Sequence, residues 1–220
     1  MISEGDRIAV GVSGGKDSLT LLIALRKLMD FYPARFEIKA VTIATGIGEP
    51  DFSPVAKLCE EIGVEYIIED TVLGKIVFEA RQEPNPCSLC ANLRRGALNN
   101  TALRLGCNKV ALAHNRDDVI ETLLLSLFYE GRIHTFSPVT YLDRKGIYVI
   151  RPLIYAEEKQ IKAFIKENSL HIVDNPCPVN GYTKRHYIKN LLQDLSYENR
   201  EIKNIIFGAI KRSGLNGWHK

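Results

Sequence analysis

Arg7-Ile8-Ala9-Val10-Gly11-Val12-Ser13-Gly14-Gly15-Lys16-Asp17-Ser18 is the stretch on which the fold turns. An apolar, β-branched run of strand type (Arg7 to Val12) enters a loop with two adjacent glycines. Asp17 to Phe31 follows, apolar on nearly every face, as expected of a helix sandwiched against a sheet. That order makes an anion site: glycines let backbone N–H groups approach phosphate oxygens, the helix start adds partial positive charge, and Lys16 adds a full one. Neither common nucleotide fingerprint fits. A Walker A loop needs glycine at Val10 and Ser or Thr at Asp17, and no G-x-G-x-x-G is present.

Outward from this loop, strand-like runs recur at Glu37 to Ile43, Val64 to Glu69, Lys109 to His114 and Gly146 to Pro152. Helical stretches lie between them, including the amphipathic Ser53 to Ile62 with Pro54 near its start and a helix from Ser88 to Leu105. The alternation predicts an α/β fold: a doubly wound open sheet of mainly parallel strands, helices on both faces, and further helices at the C-terminus. A chain of 220 residues suits one core. The expected organisation is a catalytic domain over residues 1–180 and a basic helical extension over 181–220 packed on the same domain. Two loops interrupt the pattern: Glu83 to Cys87 (EPNPC), after a helix ending near Arg81, and Asp174 to Gly181 (DNPCPVNG), which locks Cys177 between two prolines.

The hydrophobic fraction of 45% and charged fraction of 25% exclude disordered and fibrous classes. With no secretory leader at Met1 and apolar runs far shorter than a membrane span, the expected setting is cytoplasmic, with no membrane partner. Five cysteines without a secretion signal favour metal or thiol chemistry over disulfides, and Cys87 and Cys90 are the spaced pair. Cys59 and Cys107 read as core thiols. The net charge is +3, yet from Gly181 to Lys220 eight lysines and arginines face three acids. Two readings stand for that tail: solvated helix faces, or a surface for a polyanion.

The string Ser13-Gly14-Gly15-Lys16-Asp17-Ser18 resembles the SGGxDS loop of the PP-loop ATP pyrophosphatases. The resemblance implies ATP cleavage between the α- and β-phosphates with magnesium, transfer of AMP to a substrate oxygen, and contact with the nucleotide by Ser13, Gly14, Gly15, Lys16, Asp17 and Ser18. Lys16 and Asp17 are then also catalytic. Further segments are similar to the tRNA 2-thiocytidine synthetases (TtcA type): Pro86-Cys87-Ser88-Leu89-Cys90 with Arg94-Arg95-Gly96, His114-Asn115-Arg116-Asp117-Asp118 with Glu121-Thr122, and Ile150-Arg151-Pro152-Leu153. This narrower resemblance spans about Glu4 to Leu192.

That family implies a [4Fe-4S] cluster on Cys87, Cys90 and Cys177, with one iron open for sulfur. By residue chemistry alone, thiolates on two loops suit Fe–S or zinc, and a structural zinc or a persulfide mechanism are the alternatives. His114, Asp117 and Asp118, at a strand end and a helix start, are either a helix cap with a neighbouring histidine or ligands for magnesium and phosphate, which the resemblance favours. Arg151, Thr42 and Ala44 are further assigned to the nucleotide. Two departures stand out: Thr42-Ile43-Ala44-Thr45 lies where the family has an acidic residue, and a single cysteine, Cys177, stands where it repeats C-x-x-C.

The expectation is an ATP-dependent sulfurtransferase that adenylates the C2 oxygen of a pyrimidine in tRNA and replaces it with sulfur. Arg94, Arg95, Lys184, Arg185 and Lys189 are the expected RNA contacts. Its partners would be tRNA and a sulfur donor, either a cysteine desulfurase or sulfide, and a homodimer is left open. The rivals are a PP-loop ligase or amidotransferase acting on a small molecule with structural cysteines, and a metal-bearing nucleic-acid-binding module.

Overall fold

The computed structural model describes residues 1–80, 86–173, 184–215 and 217–218. Six strands form one sheet in the order β3-β2-β1-β4-β6-β5: β1 (Asp6–Gly11), β2 (Phe36–Ala44), β3 (Glu65–Asp70), β4 (Lys109–Ala111), β5 (Val139–Leu142) and β6 (Ile147–Ile150). All neighbours are parallel except β5 and β6. The doubly wound, mainly parallel architecture expected from the sequence is therefore present.

The helices are α1 (Lys16–Leu28), α2 (Ser53–Glu61), the short α3 (Leu73–Lys75) running into a π-helical turn at Ile76–Ala80, α4 (Pro86–Arg104), α5 (Arg116–Glu130), α6 (Glu158–Glu167), α7 (Lys184–Glu198) and α8 (Ile202–Arg212). Side chains of β1 alternate between two cores, as the period of a strand requires. Ile8, Val10 and Val12 pack against α1, α2 and α6, while Ala9 packs with Leu73, Leu98 and Ala102 of α3 and α4. The central helix α1 is apolar almost all round because it buries Leu19, Leu21, Leu22, Ile23 and Leu25. A third cluster joins Val119 and Ile120 of α5 to Ile188 and Leu192 of α7, Phe207 and Ile210 of α8, and Trp218. Each such side chain is worth about 2 kcal/mol when fully buried, so α7 and α8 are held on α5 by apolar packing.

Two expectations change. The sheet has a sixth strand, β5, joined to β6 as an edge hairpin by a turn in which Lys145 and Gly146 N–H both donate to the Leu142 carbonyl. And β4 ends at Ala111, so His114 stands on the β4–α5 connection instead of ending the strand. Among the described residues no helix is long and apolar enough to cross a membrane.

Candidate active site

The sheet order puts β2 and β3 on one side of β1 and β4 on the other, so the loops leaving β1 and β4 diverge. Such a switch point, beyond the carboxyl ends of the strands, opens the crevice where ligands of doubly wound sheets bind. A cavity of about 660 Å³ lies there, bordered by Ser13, Gly15, Asp17 and Ser18 of the first loop and by Ala113 and His114 of the second.

The first loop is tied to itself. Ser13 N–H donates to Ser18 Oγ at 3.1 Å, Ser18 Oγ donates to the Gly15 carbonyl at 2.9 Å, and Gly15 N–H reaches Ser13 Oγ at 3.4 Å. Gly14 has φ +79°, and a Cβ there would come within 2.6 Å of the Val173 Cβ, whose N–H also bonds the Gly14 carbonyl. Only glycine fits that position. No side chain caps the start of α1 at Gly15, which leaves first-turn donors for an anion.

Charges meet on the outer side of this loop around a second cavity of about 240 Å³. Lys16 Nζ lies 2.6 Å from Asp17 Oδ2 and 3.3 Å from Glu158 Oε1. Lys189 donates to the same Glu158 oxygen at 2.8 Å. Burial pushes the Glu158 carboxyl up, but Lys189, Lys16 and Lys162 outweigh it and hold it at about 2. Burial likewise pulls the Lys16 ammonium down, and Asp17 and Glu158 reverse the sign. Asn115 Nδ2 donates to Asp17 Oδ1 at 3.0 Å and, with Asp118, forms a capping box at the start of α5. The cap and the ligand reading of this turn thus describe one constellation: the cap aims Asn115 at the phosphate loop.

The two aspartates differ. Asp117 accepts from Lys203 Nζ at 2.7 Å and from the Glu158 N–H at 2.9 Å, which pins α8 and α6 to α5. Asp118 faces Arg185, which also donates to Glu121 at 2.9 Å and to Thr122 at 3.2 Å. Burial raises both the Asp118 and the Glu121 carboxyls. Arg185 and Lys189, expected as RNA contacts, line these cavities and remain partly exposed. Lys184 lies outside, its ammonium 4.3 Å from the Tyr129 ring centroid.

On the far wall, Arg151 donates from Nη1 to the Ser137 carbonyl at 2.6 Å and to Thr140 at 3.1 Å, and from Nε to His114 Nδ1 at 3.3 Å. The Phe136 ring stacks on His114 at 4.4 Å and lies under the guanidinium. Burial first, then Arg151, Arg185 and Arg95, hold His114 at about 3. Burial and Arg95 lower Arg151 to about 10, which still leaves it charged at neutral pH. A histidine held neutral in the fold but protonated when unfolded costs stability as pH falls below its unfolded value of about 6.5, until the folded value is reached. Because part of the residue still meets solvent, the loss between pH 7 and pH 5 is expected to be on the order of 1 kcal/mol. Thermal unfolding of His114→Gln should show a smaller loss over that interval than the unchanged chain; an equal loss would assign the pH dependence elsewhere.

Helix α4 delivers the cysteines. Cys87 is exposed and Cys90 half-buried in its first turn, and neither is in a disulfide. One helical turn further, Ala91, Arg94 and Arg95 line the larger cavity, followed by Leu98. Cys177 lies outside the described residues. Cys59 and Cys107 are core thiols, and burial raises Cys59 to about 11. Thr42 is buried, donating to the Val12 carbonyl at 2.6 Å and accepting from Tyr66; Val41 and Ile43 on either side of it line the cavity. The Ala44 carbonyl accepts from Thr71. Glu158, Asn115 and Phe136 were not singled out from the sequence. Asn115 stood inside the quoted His114-to-Asp118 string, while nothing local marks the other two.

A model of the PP-loop domain matches residues 2–195. The tRNA-cytidine(32) 2-sulfurtransferase of Geobacter sulfurreducens is 41% identical over 213 residues, covering 96% of this chain and 83% of that protein. Its counterpart in Pelobacter propionicus is 42% identical, over 96% of this chain and 79% of that one. Among solved structures, the U34-tRNA thiolase NcsA from Methanococcus maripaludis with its [4Fe-4S] cluster superimposes with a TM-score of 0.80 at 26% identity, covering 96% of this chain and 73% of that chain. An NH3-dependent NAD synthetase from Campylobacter jejuni shares the fold, with a TM-score of 0.52 at 19% identity.

Proposed function

The chain belongs to the PP-loop family, in the branch of the tRNA-cytidine 2-sulfurtransferases, and from that premise we propose that it uses ATP and magnesium to replace the C2 oxygen of a cytidine in tRNA by sulfur. One observation carries the reading: the phosphate loop and the cysteine helix face one cavity, with Asp17 and Ser13 on one wall and Ala91, Arg94 and Arg95, which follow Cys90 along α4, on another.

The donor set fits a [4Fe-4S] cluster, because Cys87 and Cys90 lie three positions apart at an accessible helix start, where the helix favours thiolate, while the other described cysteines are buried. With Cys177 as third ligand, such a cluster supplies, when bound, an open iron at which sulfur can be held. Everything else falls to side chains of the chain. Ser13, Gly14, Gly15 and Ser18 hold the phosphates, Lys16 stabilises charge that develops on the leaving pyrophosphate, and Asp17 and Asp118 are the carboxylates assigned to magnesium. Neutral His114 and charged Arg151 form the wall on the side of the base. The C2 oxygen attacks the α-phosphorus and pyrophosphate departs; sulfur then adds at C2, the C2–O bond breaks, and AMP leaves. Adenylation thereby turns a poor leaving group into a good one.

Arg94, Arg95 and Lys184 hold the RNA backbone, whereas Arg185 and Lys189 act on the leaving-group side. The sulfur reaches C2 at the sulfide level, either from sulfide or from a cysteine desulfurase whose persulfide sulfur a thiol reductant has brought to sulfide, in the cytoplasm, and residues 181–220 serve as an extension of the 1–180 catalytic domain. Whether two copies associate is tested by sedimentation. Nucleoside mass spectrometry of tRNA from a strain lacking the protein checks the substrate: loss of 2-thiocytidine is expected, and retention of all thiolated pyrimidines would move the reading to a small-molecule PP-loop enzyme.

A further inference from the structure

Helix α5 carries Thr122, Leu125 and Ser126 on the stripe that borders the larger cavity. Tyr129 follows Ser126 by three residues and so continues that stripe by helical spacing. Glu130 and Arg132, just beyond, also border the cavity, which places Tyr129 at its mouth. Its ring is 44% exposed and carries the Lys184 ammonium on one face. Phe128 and Tyr187 are 53% and 57% exposed, and Tyr187 is one turn along α7 from Lys184. Arg94, Arg95, Arg132 and Arg185 line the same cavity. Large rings left in water beside that many cations are unlike a protein-facing apolar patch, and their chemistry is that of a single-stranded nucleic acid: flat π faces with phosphates between them.

We propose that Tyr129, with Lys184, is a stacking platform for an unpaired nucleobase next to the base being modified. The inference rests on the tRNA reading above. A cavity of about 660 Å³ is of the size that holds a small ligand and a single base, and a base drawn into it leaves its neighbour with an unstacked face at the mouth. That face meets the ring of Tyr129, and Lys184 turns from the ring to the intervening phosphate.

The test compares an anticodon stem-loop oligoribonucleotide, whose loop bases are unpaired, with a duplex of the stem alone, using fluorescence anisotropy. Tyr129→Ala should weaken stem-loop binding by about 5- to 150-fold, the equivalent of roughly 1–3 kcal/mol for one stacked base, and leave duplex binding near its original value. Tyr129→Phe should restore stem-loop affinity, and Lys184→Gln should flatten the salt dependence by about one phosphate's worth. Thermal unfolding of each variant checks the fold. Original stem-loop affinity in Tyr129→Ala overturns the platform and leaves the tRNA reading standing; an unmodified chain that binds neither RNA overturns both. Dissociation of a dimer by Tyr129→Ala at unchanged RNA affinity also overturns it, and assigns the face to a second copy of the chain.

Discussion

Lys16→Ala folds, and forms AMP from ATP about 10²- to 10³-fold more slowly, the range typical of removing one preorganised charge from a transition state. The ammonium sits in the phosphate loop itself, between Asp17 and Glu158, and the Asp17–Lys16–Glu158–Lys189 chain of ion pairs fixes it there before ATP arrives. Stability should change little, because Glu158 keeps Lys189 and Lys162 as partners once Lys16 is gone. Initial rates of AMP formation with thermal unfolding as a control check this. An unfolded Lys16→Ala protein, or one with an unchanged rate, would contradict the role.

The loop was legible in the sequence because it is local: the strand end at Gly11, the turn and the helix start at Lys16 fall within six consecutive residues. The parallel sheet was legible for the same reason, through apolar runs whose length matches strands. β5 was not, since Val139-Thr140-Tyr141-Leu142 is a four-residue edge strand, half-exposed on both faces, with no apolar run to mark it. Glu158 escaped for a different reason. Its partners at the site, Lys16 and Lys189, are far away along the chain, and its nearby partner Lys162 is the ordinary i,i+4 pair of a solvated acid at a helix start. Charge counting also leaves direction open: Arg185 and Lys189 belong to a basic tail, and α7 pairs them with carboxylates of α5 and α6, while Lys184 next to them lies over Tyr129. Composition records that a charge exists, and only packing decides what it faces.

Cys87→Ser and Cys90→Ser should lose tRNA thiolation entirely while ATP–pyrophosphate exchange persists. The cysteines stand on the first turn of α4, whereas the phosphate loop is held by its own serines, by Gly14 against Val173 and by Asn115. The described hydrogen bonds of that loop run among Ser13, Gly15, Ser18, Asp17 and Asn115, so the two halves of the reaction should separate. Serine replaces a soft thiolate by a hydroxyl that neither binds iron well nor ionises near neutral pH. Cys59→Ser is the control. It buries a hydroxyl in the α2 core and should cost about 1–3 kcal/mol of stability while thiolation per folded molecule is retained. Colour and iron content of the anaerobically prepared protein should vanish with Cys87→Ser and survive Cys59→Ser. Thiolation that continued without Cys87 or Cys90 would remove the cysteine helix from the reaction.

The claim that joins both halves is that the C2 oxygen of the base leaves on AMP. It is tested by supplying tRNA whose target cytidine carries ¹⁸O at C2, together with unlabelled ATP, magnesium and a sulfur source, and weighing the AMP released. One ¹⁸O in the AMP phosphate for each thiolated base is the predicted result. Unlabelled AMP alongside thiolated tRNA, or ADP in place of AMP, would contradict adenylation of the base.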